Sequence, residues 1–101
     1  MSRYHVYITP NAFQEVKRLP GNVRQRIKGA IRALGDNPRP PQSKALDVPD
    51  TEQELLRVRM DSWRIVYLVS EANKTVDVLA VRRRPPYDYA DLESLLDEEG
   101  D

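Results

Sequence analysis

A chain of 101 residues with no cysteine and a single histidine has room for one core, but not for a disulfide framework, a thiolate metal site or a His-rich one. Its formal net charge of zero hides a division: all 16 basic residues lie in 1–84, against nine acids there, while Asp88, Asp91, Glu93, Asp97, Glu98, Glu99 and Asp101 fall in the last fourteen residues. A basic body with an acidic end suits a polyanionic partner, and equally a soluble body with a solvated tail. With no apolar run of signal-peptide type and no stretch of bilayer length, the expectation is one cytoplasmic domain over 1–96, an acidic tail over 97–101 and no membrane partner.

Residues 3–8 alternate as a strand, with Tyr4, Val6 and Ile8 sharing one face and His5 a partly exposed strand residue. Thr9-Pro10 is a helix start, threonine as N-cap and proline in the first turn. Ala12, Phe13, Val16 and Leu19 then recur at helical spacing. Pro20-Gly21 breaks the helix and Asn22 can cap a second one, whose inner stripe is Val23, Ile27, Ala30, Ile31 and Leu34. Two amphipathic helices joined by a short turn form a hairpin able to cover a sheet. Pro38, Pro40, Pro41 and Pro49 give the run to Asp50 an extended, semi-rigid loop character, anchored by Lys44 and Leu46.

Three strands follow. Leu55 to Met60 and Trp63 to Val69 flank Asp61-Ser62, and Thr75 to Val81 follows the polar turn at residues 71–74. A two-residue turn sets Met60 opposite Trp63 and Arg59 opposite Arg64. One face then holds Leu56, Val58, Met60, Trp63, Ile65, Tyr67 and Val69, and the other Leu55, Arg57, Arg59, Arg64, Val66 and Leu68. Like charges directly opposite are destabilising, so the arginines either meet an anion such as phosphate or pair with Glu52, Glu54 or Asp61. The third strand ends in Arg82-Arg83-Arg84. Its register decides whether Arg83, or Arg82 with Arg84, joins the cluster. Pro85-Pro86 stops the strand. Tyr87 and Tyr89 either stack on RNA bases or seat a last short helix over 89–96, whose Leu92, Leu95 and Leu96 can cover Leu55, Val66 and Leu68. The fold class is α+β: a small antiparallel sheet, an N-terminal strand plus a three-strand meander, covered on one face by a helical hairpin. There is no G-x-S-x-G, no Gly-rich phosphate loop and no nucleophile–histidine pairing.

The order of strand, helical hairpin and Asn-Pro loop leads to two distinctive blocks. One is Leu56-Arg57-Val58-Arg59 with Trp63-Arg64-Ile65-Val66-Tyr67. The other is Val81-Arg82-Arg83-Arg84 with a tyrosine soon after. Over about residues 4–96 this resembles the RelE/ParE superfamily of bacterial toxins, more closely its RelE branch. The resemblance implies a toxin of a type II toxin–antitoxin system, made with a cognate antitoxin through which the complex can bind operator DNA. In the RelE branch the toxin enters the ribosome and cleaves mRNA as an endoribonuclease, with no cofactor or metal, arresting translation and growth. In the ParE branch it inhibits DNA gyrase by binding.

By the RelE pattern Arg64 would stabilise the scissile phosphate and Arg84 would assist there or at the leaving group. Tyr87, or Tyr89, would stack on a base or orient the nucleophile. Arg59 would support the phosphate contacts, and Arg82, Arg83 and Lys44 join the RNA-binding candidates. Arg57 stands where such an enzyme often has a lysine acting as base. A guanidinium hardly deprotonates near neutral pH, and that departure favours the gyrase-binding alternative.

Overall fold

The computed structural model describes residues 3–46 and 54–83. The expected last helix, the acidic tail, Arg84, Tyr87, Tyr89 and Glu52 lie outside the described residues. Five strands and two helices occur in the order β1 (His5–Ile8), α1 (Pro10–Lys17), α2 (Gly21–Ala33), β2 (Ser43–Ala45), β3 (Glu54–Met60), β4 (Trp63–Ser70) and β5 (Thr75–Arg83). They form one sheet in the order β1-β5-β4-β3-β2.

The helical hairpin forms much as the residue pattern dictates. Buried Thr9 caps α1, its hydroxyl accepting the Ala12 N–H at 3.2 Å, and Pro10 opens the first turn. At the second helix the expected Asn22 cap is replaced by Pro20. Its extended backbone already presents a carbonyl to the Arg24 N–H at 2.8 Å, so α2 starts at Gly21 with no side-chain cap. Ala12, Val16, Leu19, Ile27, Ile31 and Leu34 face the sheet as expected. Phe13 does not. It is 51% exposed, with the Lys17 ammonium 5.5 Å from its ring centroid. Residues 12, 16 and 19 already complete the narrow stripe that one sheet surface can cover, and Phe13 flanks it. Tyr4, just before β1, and Val6 within it pack against the core as expected, but Ile8 at the strand end is exposed.

The hairpin returns the chain alongside the sheet, and β1 pairs parallel with β5, His5 opposite Thr75 and Ile8 opposite Val78. The other three pairings are antiparallel. Met60 lies opposite Trp63 and Arg59 opposite Arg64, as the two-residue turn requires. Asp61 in that turn takes a left-handed φ of 56°, which aspartate tolerates better than most residues. The proline-rich segment holds more structure than a loop. Once past Pro41 the chain regains its N–H donors, and Ser43–Ala45 pairs with β3, Lys44 opposite Arg57. Three residues are too few to show a period. The buried Tyr67 hydroxyl ties this segment down, donating to the Pro38 carbonyl at 2.6 Å.

The inner face of the sheet packs Leu56, Val58, Ile65, Tyr67, Val69, Val76, Val78 and Val81 against the two helices. A second apolar cluster, Leu55, Val66, Leu68, Leu79 and Ala80, occupies half of the outer face.

Candidate nucleic-acid interface

The outer half-face nearest the β3–β4 turn is basic, and strand register puts it there. Residues directly opposite in neighbouring strands share a face. Arg59 lies opposite Arg64 and Arg64 opposite Arg82, a row of three arginines crossing β3, β4 and β5. Two residues along, about 6.6 Å away, Lys44 lies opposite Arg57, which faces Val66 and through it Ala80. Arg57 is 8% exposed and Arg64 4%, whereas Arg59 and Lys44 are exposed. Arg64 Nε is buried and makes no hydrogen bond of its own, although Arg59, Arg64 and Arg82 each have interaction partners.

A bulge decides the third member of the row. Tyr67 pairs with Val78 and Val66 with Ala80, so Leu79 is an extra residue in β5. Simple alternation from Val78 would send Ala80 and Arg82 to the helix side. The bulge turns Arg82 to the arginine face and puts Arg83 opposite Trp63, on the other face. Four of the candidate arginines and Lys44 are therefore brought together, and Arg83 is not.

Glu15 holds the same spot from α1. Beyond the end of β1 the edge of β5 is open, and α1 closes it with side chains. Asn11 donates to the Leu79 carbonyl at 2.9 Å and to Glu15 at 3.0 Å. Glu15 accepts the Val81 N–H and Arg82 Nε, both at 3.2 Å. Sequence reading passed over Glu15, yet it is the single acid in residues 10–34, a usable signal. Replacing it with alanine removes the acceptor of a strand N–H and of a guanidinium. Glu15→Ala is expected to lower stability by about 1–2 kcal/mol, read in a urea titration. Glu15→Gln, which keeps an acceptor oxygen, is expected to lose less.

The acids offered as counter-charges on sequence grounds pair elsewhere. Asp61 bonds Arg26 of α2 at 2.5 Å, and Glu54 bonds Arg39 at 2.7 Å. Arg39 also reaches Glu71, which accepts from the Tyr4 hydroxyl at 2.7 Å and from Lys74 at 3.1 Å. This cluster joins the residue before β1, the proline-rich segment, β3 and the β4–β5 turn at the end of the sheet remote from the arginine row. An open pocket of about 400 Å³ beside it is lined by Arg3, Tyr4, Asp36, Asn37, Pro38, Arg39 and Lys74. With Arg39 and Lys74 already bonded to carboxylates, it is a weaker anion site than the sheet face. Hydrogen bonds from Tyr4 first, then Lys74 and Arg39, pull the Glu71 carboxyl down to about 2. A depressed carboxyl stabilises the fold above its ordinary value near 4.5, and that contribution is lost as pH falls through 2. Glu71→Gln is therefore expected to flatten the decline of melting temperature between pH 4.5 and 2.

Among the described residues no helix is long and apolar enough to cross a membrane, and no group of acids with His5 could hold a metal ion.

A helical hairpin on a sheet whose outer face gathers arginines defines a small α+β domain of the RelE type. The archaeal RelE–RelB complex from Pyrococcus horikoshii superposes with a TM-score of 0.74 at 22% identity, covering 84% of this chain and 99% of that one. A free-state double arginine mutant of Escherichia coli RelE gives 0.66 at 22% identity, covering 98% of each chain. In sequence, a RelE-like toxin protein of Escherichia coli is 27% identical over 92 residues, 91% of this chain and 95% of that protein. The family model described as the ParE toxin of type II toxin–antitoxin systems matches residues 6–85. The chain belongs to that family and is a RelE/ParE-like toxin of a type II toxin–antitoxin system.

Proposed function

We propose that this toxin is a ribosome-dependent endoribonuclease that cleaves mRNA in the cytoplasm and is held inactive by a cognate antitoxin. The observation that carries this is the row Arg59–Arg64–Arg82 beside Arg57 and Lys44. Guanidiniums opposed across strands repel, and phosphate oxygens are the anions whose planar, bidentate geometry they match. In the reaction a ribose 2′-oxygen attacks the adjacent phosphorus while its proton passes to a base. The 5′-oxygen leaves with a proton, and a 2′,3′-cyclic phosphate remains on the upstream fragment. Negative charge builds on the non-bridging oxygens, where Arg64 and Arg59 stabilise it. Arg57 acts electrostatically and leaves the base to another group, on the toxin or in the ribosome. Arg84 at the leaving group and Tyr87 or Tyr89 against a base complete the assignment from the sequence. The RelE–RelB complexes to which the fold is similar support an antitoxin partner, and binding of operator DNA would follow through that antitoxin.

The second reading is a gyrase inhibitor that acts by binding. It is favoured by Arg57 in place of a basic group that can lose its proton, and by the ParE description of the matching family. Brief expression with mapping of mRNA 5′ ends separates the two, run beside a supercoiling assay on purified gyrase. Cuts within translated codons with normal supercoiling support the nuclease. Intact mRNA with blocked supercoiling overturns it.

A further inference from the structure

Where β1 ends, the edge of β5 carries the bulge at Leu79, and α1 with its cap grips the chain on either side of it. The Thr9 N–H donates to the Val78 carbonyl at 3.1 Å, and Asn11 Nδ2 to the Leu79 carbonyl at 2.9 Å. Glu15 Oε1 accepts the Val81 N–H at 3.2 Å and Asn11 Nδ2 at 3.0 Å. Its other oxygen, Oε2, accepts from Arg82 Nε at 3.2 Å. The helix thus fixes the backbone around the bulge and then the arginine that the bulge turns to the outer face.

The two carboxylate oxygens serve different ends. An open strand edge asks only for an acceptor at Val81, and a neutral amide oxygen would satisfy it. The second oxygen engages the Nε edge of a guanidinium, a charge-assisted bond that fixes the plane of the fork. The side chains of Arg82 and Glu15 are 19% and 22% exposed, so water screens the pair only in part. An arginine is long and rich in rotamers, and a partner that holds it before an anion arrives removes ordering cost from the encounter. In the same row Arg64 is ordered by burial, at 4% exposed, whereas less buried Arg82 is ordered by a carboxylate from α1. That carboxylate also lowers the positive potential of the row. What Glu15 supplies to an anion site is therefore direction, at some cost in charge.

We propose that Glu15 is a positioning residue for the arginine row: it orients the Arg82 guanidinium toward the substrate phosphate and acts on the reaction only through Arg82. The consequence for cleavage rests on the nuclease reading above. The orientation of Arg82 does not.

Glu15→Gln separates the two oxygens. Its amide oxygen can still take the Val81 N–H, while its amide nitrogen meets Arg82 Nε donor to donor. The variant is expected to keep most of its resistance to urea, yet to cleave mRNA on programmed ribosomes about 10–10²-fold more slowly. Electrostatics alone predicts the opposite sign, because the row gains positive charge and would hold phosphate more tightly. Arg82→Ala is expected to cost at least as much as Glu15→Gln. In the Arg82→Ala background Glu15→Gln is expected to change cleavage by less than about twofold, since no guanidinium is left to orient. Unchanged or faster cleavage by Glu15→Gln overturns the proposal, and so does an equal loss in both backgrounds. Proton exchange read by NMR reports on Arg82 itself. Its Nε–H is expected to exchange with solvent several-fold faster in Glu15→Gln than in wild type, and equal exchange overturns the orientation whatever RNA does. Faster exchange in Glu15→Gln, with no cleavage by wild type, leaves the orientation standing and removes the nuclease reading beneath its consequence.

Discussion

Arg64→Ala is expected to lower mRNA cleavage by about 10²–10³-fold, the usual effect of removing one preorganised donor to a developing oxyanion. Arg64 is the middle member of the row, flanked by Arg59 and Arg82, so its loss opens a gap at the centre of the cluster. It is also the most buried of the three, at 4% exposed. A buried guanidinium needs less reorganisation when charge appears on the phosphate, and this is why it outranks exposed Arg59. Arg64→Lys keeps the charge but not the planar fork, and intermediate activity is expected. Arg32→Ala, on the exposed side of α2, is expected to cleave as wild type does. The measurement is the frequency of new mRNA 5′ ends after brief expression, with a thermal melt of each variant to show that it folds. If wild type arrests growth while mRNA stays intact, Arg64 has no scissile phosphate to act on and the gyrase reading takes over.

The arginine cluster was legible in part because a two-residue turn fixes register locally. Asp61-Ser62 alone determines that Arg59 meets Arg64. No such rule reached β5. A bulge depends on how β4, β5 and α1 settle together, and Leu79 gives no sign of it in a run of otherwise regular alternation. Arg82 and Arg83 thus looked interchangeable until the pairing was known. Glu15 was hidden for a related reason. It lies 67 residues from Arg82 and serves a strand edge that exists only because β1 is short. The inner core could be read from periodicity, because each buried residue there belongs to a stripe of its own element. Phe13 misled that reading, since large apolar size near a stripe does not ensure cover. β2 escaped it through shortness, its pairing set by the partner strand.

Tyr67→Ala is expected to be the most damaging single core change. Tyr67 heads the largest fully buried side chains, and its ring lies among the inner-face residues under the helices. Truncation leaves a cavity costing about 3–5 kcal/mol and deprives the Pro38 carbonyl of its 2.6 Å donor. Against a total stability of about 5–15 kcal/mol for a domain this size, that lowers the melting temperature by roughly 15–30 °C. Tyr67→Phe separates the two contributions. It keeps the ring and loses the hydrogen bond, so about 1–2 kcal/mol is expected, with loosening concentrated in the proline-rich segment and β2. Alkaline pH gives an independent reading of the same hydroxyl. Burial pushes it up to about 12 from its ordinary 10, so the folded state holds its proton longer than the unfolded chain does. The contribution of Tyr67 is therefore complete below pH 10 and lost as pH rises through 12. Urea titrations at pH 9 and pH 11 should show a steeper loss for wild type than for Tyr67→Phe. Equal losses would mean that the hydroxyl is solvated and the Pro38 tie is absent in solution.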